Sequence, residues 1–127
     1  MALQISYTDL MGATHSTAYA KIDTIKFRYT ESEADIYLSI FHDSNARSKS
    51  NAANIKNKLI SIIYVLKDSA YSTYLADSVL LGNSKSVLSQ VYTWIKTHND
   101  GSNTHNSDGV RLLNEGNGIN WTTATDV

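Results

Sequence analysis

The sequence predicts an α+β domain: a small antiparallel β-sheet of three or more strands with one amphipathic helix packed on it. Three stretches support this prediction, since two have the patterns of strands and one has the periodicity of a helix. The chain has 127 residues and a hydrophobic content of 42%, which is the size of one domain and enough to bury a core. We therefore expect residues 1–127 to form a single domain.

The longest strand pattern, from Ala18 to Asp43, predicts a β-hairpin around the polar turn Thr30-Glu31-Ser32. In its second half apolar residues recur at every second position, which is the period of a strand with one buried face. This face comprises Ala34, Ile36, Leu38 and Ile40. In the first half the apolar side changes between Ile22 and Ile25, which predicts a β-bulge.

Two further stretches predict strands. Residues 59–67 are apolar on both faces, so we expect this strand to be covered on both sides, by a central position in the sheet or by a helix and a subunit contact. Residues 44–58, which precede it, predict a long exposed connection. Leu3, Ile5 and Tyr7 alternate at the N-terminus and predict a short edge strand; an extended N-terminal arm over residues 1–17 is the alternative.

The clearest helix follows Gly82-Asn83-Ser84, with Ser84 as its predicted N-cap. Apolar side chains then recur at helical spacing and form one stripe, namely Val87, Leu88, Val91, Trp94 and Ile95. Because such a stripe must be buried, we expect the helix to pack on the sheet. Residues 68–83 are compatible with a loop, a one-turn helix or a further strand.

Residues 99–127 are predicted to be a C-terminal extension of the domain. It begins with a polar loop over residues 99–109. Residues 110–114 and 119–123 flank a glycine-containing turn and predict a second hairpin anchored by Trp121. The alternative is an extended tail that docks on a partner.

The composition excludes several classes of function. The chain has no cysteine, and therefore no disulfide and no thiolate metal ligand. Eleven basic residues against twelve acidic ones give a formal net charge of -1, so no overall attraction to nucleic acid or to an anionic membrane is expected. No segment has the apolar run of a secretion signal or a membrane span. We expect a soluble protein without nucleic-acid or membrane partners and without a cofactor.

No group of residues predicts a catalytic or metal site. The four histidines lie in separate segments, and none has the spacing of a metal-ligand motif. His42-Asp43-Ser44 contains the residue types of a hydrolytic triad, but neighbours along a strand point to opposite faces and should not converge. His98 is predicted to be a cation at the helix C-terminus, and His42 to face solvent at a strand end.

The aromatic residues predict interaction surfaces. Tyrosine combines a large contact area with a polar group, which suits protein interfaces and sugar stacking alike. Tyr37 and Phe41 lie opposite the aliphatic face of the hairpin and predict a second buried surface, covered by another layer or another subunit. Tyr71, Tyr74 and Trp121 are further interface candidates, and exposed side chains at these positions would stack on a sugar.

The order of these elements resembles that of small tail-module proteins of bacteriophages. The resemblance spans residues 18–98 and is carried by AYAKIDTIKF, YLSIFHDSNAR and VYTWIKT, with a late ATDV. The chain departs from the family pattern in lacking a proline after the second strand and in carrying an additional segment over residues 99–121.

The resemblance implies a noncatalytic structural component of a virion, in the tail, baseplate or fibre-attachment region, synthesised in the host cytoplasm. Its implied partners are other virion proteins and further copies of the chain. A capsid decoration protein and a carbohydrate-binding or receptor-binding module are the alternatives, and a small hydrolase is a third hypothesis.

Overall fold

A computed structural model of the chain describes residues 1–9, 12–45, 58–99, 111–112 and 119–127. These residues form a six-stranded antiparallel sheet with the strand order β5-β4-β3-β2-β1-β6. The predicted α+β fold is therefore confirmed. The strands are β1 (Leu3–Thr8), β2 (Thr14–Arg28), β3 (Glu33–Phe41), β4 (Lys58–Leu66), β5 (Arg111–Leu112) and β6 (Thr125–Asp126).

The predicted hairpin is formed by β2 and β3, which pair along most of their length. A short 3-10 turn over Tyr29–Glu31 connects the two strands. The turn ends at Ser32, whose backbone adopts the left-handed conformation and whose N–H donates to the Tyr29 carbonyl at 3.2 Å. The pairing register shifts between Ile22 and Thr24, which confirms the predicted bulge.

One face of the sheet carries the core. The four predicted aliphatic residues of β3 are fully buried, because pairing aligns them with apolar residues of β2 and β4. On β4, only one face is fully covered, while Leu59, Ile63 and Val65 on the opposite face are half-buried. The expectation that both faces of this strand are covered is thus confirmed for the core face only.

The N-terminus forms a strand of the sheet. Leu3, Ile5 and Tyr7 are buried, and β1 pairs with β2 on one side and with β6 on the other. The N–H of Val127 donates to the Ala2 carbonyl at 3.0 Å, which extends the contact with β6. The alternative of an N-terminal arm is therefore wrong for Leu3–Thr8.

Three helices follow β4: α1 (Asp68–Tyr74), α2 (Asp77–Gly82) and α3 (Val87–Ile95). Residues 68–83, for which several structures were open, thus form two short helices and the turns around them. The predicted helix is α3, and its buried residues are Val91, Tyr92, Trp94 and Ile95. None of the helices among the described residues is long and apolar enough to span a membrane.

The N-cap of α3 is Ser86, so the assignment to Ser84 is wrong. The Ser86 hydroxyl accepts a hydrogen bond from the Ser89 N–H at 3.1 Å. Ser84 instead has a backbone φ of 51°, in the left-handed region, whereas an N-cap residue has an extended backbone.

The predicted C-terminal hairpin is wrong, because its two halves pair with different parts of the chain. Arg111 and Leu112 form β5 and pair with β4, whereas Asn120 forms a bridge with Asn99. A 3-10 turn, Trp121–Thr123, follows, and β6 then pairs with β1. Residues 113–118, which contain the predicted turn, lie outside the described residues, as do most of the predicted loop and of the connection over residues 44–58.

Tyr92 connects α3 to the sheet through its hydroxyl group. This group accepts a hydrogen bond from the Ile22 N–H at 2.9 Å and donates to the Met1 carbonyl at 3.1 Å. Ile22 is the last residue before the bulge, and Met1 lies just beyond the start of β1. The hydroxyl therefore satisfies two backbone groups where the β1–β2 ladder ends.

We expect Tyr92→Phe to lower the free energy of unfolding by about 1–3 kcal/mol, because it leaves a buried N–H and a carbonyl without their hydrogen-bonding partner. Urea denaturation measures the change. Tyr29→Phe is the matched control: Tyr29 is 74% exposed, so loss of its hydroxyl should change stability by less than about 0.5 kcal/mol. Equal effects of the two substitutions would contradict the structural role of the Tyr92 hydroxyl.

We also expect the protein to lose stability as the pH rises above about 10. Burial raises the pKa of Tyr92 above its ordinary value, although the hydrogen bond from Ile22 acts in the opposite direction. Burial likewise raises the pKa of Tyr7 and of Tyr71. The unfolded chain then forms phenolates at lower pH than the folded chain, so stability is full below the ordinary tyrosine pKa and falls above it.

Urea denaturation at several values between about pH 8 and pH 11 tests this expectation, and Tyr92→Phe should flatten the pH dependence. A stability that stays constant across this range would contradict it.

Candidate functional site

Tyr37 and Phe41 lie on the outer face of the sheet, opposite the core face. Phe41 is only 4% exposed, and it is not a member of the core cluster. Tyr37 is half-buried. The predicted second buried surface thus exists at Phe41, where it is already covered within the chain, so Phe41 is not an open docking residue.

Trp121 is fully buried, so it lacks the exposure that the sugar-binding hypothesis requires. It packs in the core, where its ring lies 6.2 Å from that of Tyr64 at an interplanar angle of 76°. Tyr64 also makes an edge contact with Trp94 at 5.9 Å. In this fold Trp121 cannot stack on a sugar, because its ring faces are occupied by the domain itself.

His98 belongs to the same aromatic group. Its ring lies 4.5 Å from that of Trp94 and 5.6 Å from that of Tyr64. Its Nδ1 is 3.0 Å from the Trp94 carbonyl in the last turn of α3, so it contacts the helix C-terminus as expected. It is buried, however, and does not lie at an exposed helix end.

Tyr71 and Tyr74 of α1 are half-buried and pack against the core. Neither side chain is a large exposed platform. Burial raises the pKa of Tyr71, and the charges of Tyr29 and Asp77 add to this effect. One of these two residues is an aromatic that the sequence did not single out.

That residue is Tyr29, the most exposed aromatic side chain among the described residues, at 74%. Its ring stacks on Phe27 with a centroid distance of 5.2 Å and an interplanar angle of 6°. Phe27 is half-buried and packs on the end of the core. We call Phe27 and Tyr29 the tip surface. In this surface Phe27 packs against the core, and the exposed Tyr29 stacks on Phe27.

A charged cluster lies beside the tip surface. The Arg28 guanidinium donates to Asp35 and to Glu33, the latter at 2.5 Å, and pairs with Glu31 at 3.1 Å. The hydrogen bonds to Asp35 and Glu33 raise the pKa of Arg28. A guanidinium shared between three carboxylates holds both strands and the turn in one geometry. The conformation of the turn that carries Tyr29 is thus fixed from both sides.

This arrangement has the composition of a protein interface. Exposed tyrosine and arginine are the residue types that contribute most to binding at such sites, and charged groups at the rim favour the correct partner. A stacked pair on a rigid turn also loses little conformational entropy when it is covered. Phe27 and Tyr29 stand two residues apart, as neighbours on one face of a strand do, but their stacking depends on the turn geometry at Tyr29, which the sequence does not predict.

The structure also brings together two histidines that are 27 residues apart in the sequence. The Nδ1 atoms of His15 and His42 lie 2.7 Å apart, and His15 Nε2 lies 2.8 Å from Asp9 Oδ2. β3 ends at Phe41, so strand alternation does not separate His42 from Asp43. His42 Nε2 is 3.7 Å from Asp43 Oδ2, and the predicted divergence of these two side chains is wrong. His42 is exposed at a strand end, as expected.

Comparison with known proteins found no matching family model, no matching curated protein and no matching solved structure.

We expect Trp121→Ala to lower the free energy of unfolding by roughly 3–5 kcal/mol, because it removes a large buried side chain from the centre of the aromatic core. Denaturant titration measures this loss. Leu81→Ala is the control, since Leu81 is 83% exposed and its truncation should change stability by less than about 0.5 kcal/mol. A Trp121→Ala variant of normal stability would contradict the burial of this residue.

Proposed function

We propose that this chain is a noncatalytic structural component of a bacteriophage virion, in the tail, baseplate or fibre-attachment region, and that it associates with copies of itself and with other virion proteins. The virion assignment is supported by the resemblance over residues 18–98. The mode of action is supported by the tip surface, and above all by the exposed stack of Tyr29 on Phe27.

The stack supports this proposal because it leaves an aromatic ring accessible to a partner. Burying an aromatic side chain is favourable by about 25 cal/mol for each Å² of apolar area removed from water, yet Tyr29 is 74% exposed. A partner that covers the Tyr29 ring would gain this area without reorganising the turn, since the Arg28 cluster already fixes it.

The other predicted contact regions are mostly occupied within the chain. The terminal segments pair with each other as β1 and β6, and Trp121 fills the core. The tip surface is therefore the interface we propose.

The first partner we propose for the tip surface is a second copy of the chain. Symmetric homo-oligomers are the commonest assemblies of soluble proteins, and a particle component is present in repeated copies. Two tip surfaces in contact would place aromatic rings at the centre and the charged side chains around Arg28 at the rim, the usual arrangement of an interface.

We expect the purified protein to form a defined oligomer, and Tyr29→Ser to shift it towards the monomer by roughly tenfold or more in dissociation constant, as for an aromatic residue at the centre of an interface. Light scattering and native mass spectrometry over a concentration series measure this shift. Leu81→Ser is the control, because it removes an equally exposed apolar side chain from α2 and should leave the assembly unchanged.

Two results would contradict the proposal. A wild-type chain that stays monomeric at all concentrations would overturn self-association through the tip surface. Absence of the chain from purified particles of the phage that encodes it, measured by mass spectrometry, would overturn the virion role.

A further inference from the structure

His15 and His42 connect β2 and β3 beyond the point where the two backbones pair. The last paired residues at this end of the hairpin are Tyr19 and Phe41. Past them, the Nδ1 atoms of His15 and His42 lie 2.7 Å apart, and the two rings are nearly perpendicular, at 84°. This side-chain contact therefore joins the start of β2 to the end of β3 in place of backbone pairing.

The contact is a hydrogen bond between two groups of the same kind, so it depends on where their protons are. A ring nitrogen of histidine donates when it carries a proton and accepts when it does not. In a protonated imidazole both nitrogens carry protons and both are donors. One of the two Nδ1 atoms must therefore lack a proton, and the hydrogen bond is lost when both rings are protonated.

Each ring also lies near a carboxylate that favours its protonated form. His15 Nε2 is 2.8 Å from Asp9 Oδ2, and His42 Nε2 is 3.7 Å from Asp43 Oδ2. A negative charge within about 4–6 Å stabilises an imidazolium ion. The side chains of His42 and Asp43 are 61% and 33% exposed, so water solvates the charge of that pair as well. Two separate ion pairs thus support a state in which both rings are protonated.

Titratable groups of the neighbouring strands were considered in the same way. Tyr7 of β1 stacks on His15 with a centroid distance of 6.5 Å, and burial raises the pKa of Tyr7 above its ordinary value, so this ring stays neutral where imidazole titrates. On β4, Lys58 pairs with Phe41 in the sheet, and its ammonium group lies 3.5 Å from Asp23 Oδ2. The charge that changes here between about pH 8 and about pH 5 is therefore that of the two imidazoles.

We propose that His15 and His42 form a pH-dependent switch with two arrangements. In the closed arrangement, at neutral and higher pH, one proton lies between the two Nδ1 atoms and the hydrogen bond joins β2 to the end of β3. In the open arrangement, at acidic pH, both rings are protonated, the hydrogen bond is absent, and each imidazolium pairs with its own carboxylate. Acidification thus releases the end of β3 from β2. The switch is separate from the tip surface, which lies at the opposite end of β3.

A double-mutant cycle at two pH values tests this proposal. Urea denaturation of the wild type, His15→Ala, His42→Ala and the double variant gives the coupling between the two side chains, and the contribution of the buried His98 cancels because all four proteins contain it. At about pH 8 we expect the unfolding equilibrium constant of the double variant to differ by roughly three- to tenfold from the value for independent substitutions. At about pH 5 we expect this coupling to fall below about twofold.

The control cycle combines His42→Ala with Tyr29→Phe. These residues lie at opposite ends of β3, so their substitutions should be additive at both pH values.

An NMR titration gives a second measurement, which does not require the His15→Ala variant to fold. In the wild type the two imidazoles should take up their protons in two separate steps, whereas His15 should take up its proton in one step in the His42→Ala variant. Equal coupling at both pH values, no coupling at pH 8, or wild-type histidines that titrate independently of each other would overturn the proposal.

Discussion

The hydroxyl group of Tyr92 connects a helix to two strands, and the position of the helix layer depends on it. A β-bulge leaves a strand locally without its regular ladder of hydrogen bonds, and the ladder between β1 and β2 ends beside this bulge. Tyr92 supplies the missing partners for Ile22 and Met1. Both hydrogen bonds can form only when the Tyr92 hydroxyl lies between Ile22 and Met1. They therefore set the position of α3 along the sheet, in addition to its packing against the sheet.

The packing of the aromatic core depends on this position of α3. With α3 held over the sheet, Trp94 and Tyr64 meet edge to face, and Trp121 enters from the C-terminal segment to complete the group. Aromatic side chains bury a large area, and they prefer such edge contacts to parallel stacking. The face of the sheet that the helices cover is therefore filled by a few large rings, while Tyr37 and Phe41 lie on the opposite face.

The elements of this fold that the sequence predicts are those set by local periodicity. Alternation along Ala34 to Ile40 predicted the core face of β3, the change of side after Ile22 predicted the bulge, and the stripe ending at Ile95 predicted α3. Each of these depends only on residues close together in the chain. The N-cap was misplaced, because Ser84 and Ser86 offer the same capping chemistry and only the backbone conformation distinguishes them.

The candidate sites were less predictable, because they depend on pairing between distant segments. Trp121 stands among small polar residues in the sequence, which favours a tail that docks on a partner, and only the tertiary fold shows that Trp121 packs in the core of this chain. His15 faces Tyr7 because the register shifts between β1 and β2; a different register would have separated it from His42. Tyr29 is exposed because it lies in the turn between β2 and β3, and the alternation along the strands does not predict this.

The late position of Trp121 and β6 in the chain determines when the domain can be completed during synthesis. β1, β2 and β3 each pair with the next strand along the chain, so these contacts join nearby segments and can form early. Trp121, whose ring completes the packing between the helices and the sheet, comes much later in the chain. β6 also comes late, and it pairs with β1, the first strand. A nascent chain therefore leaves part of the apolar sheet face uncovered until the segment that carries Trp121 and β6 emerges from the ribosome. In that interval we expect the chain to be most prone to aggregation and to capture by chaperones.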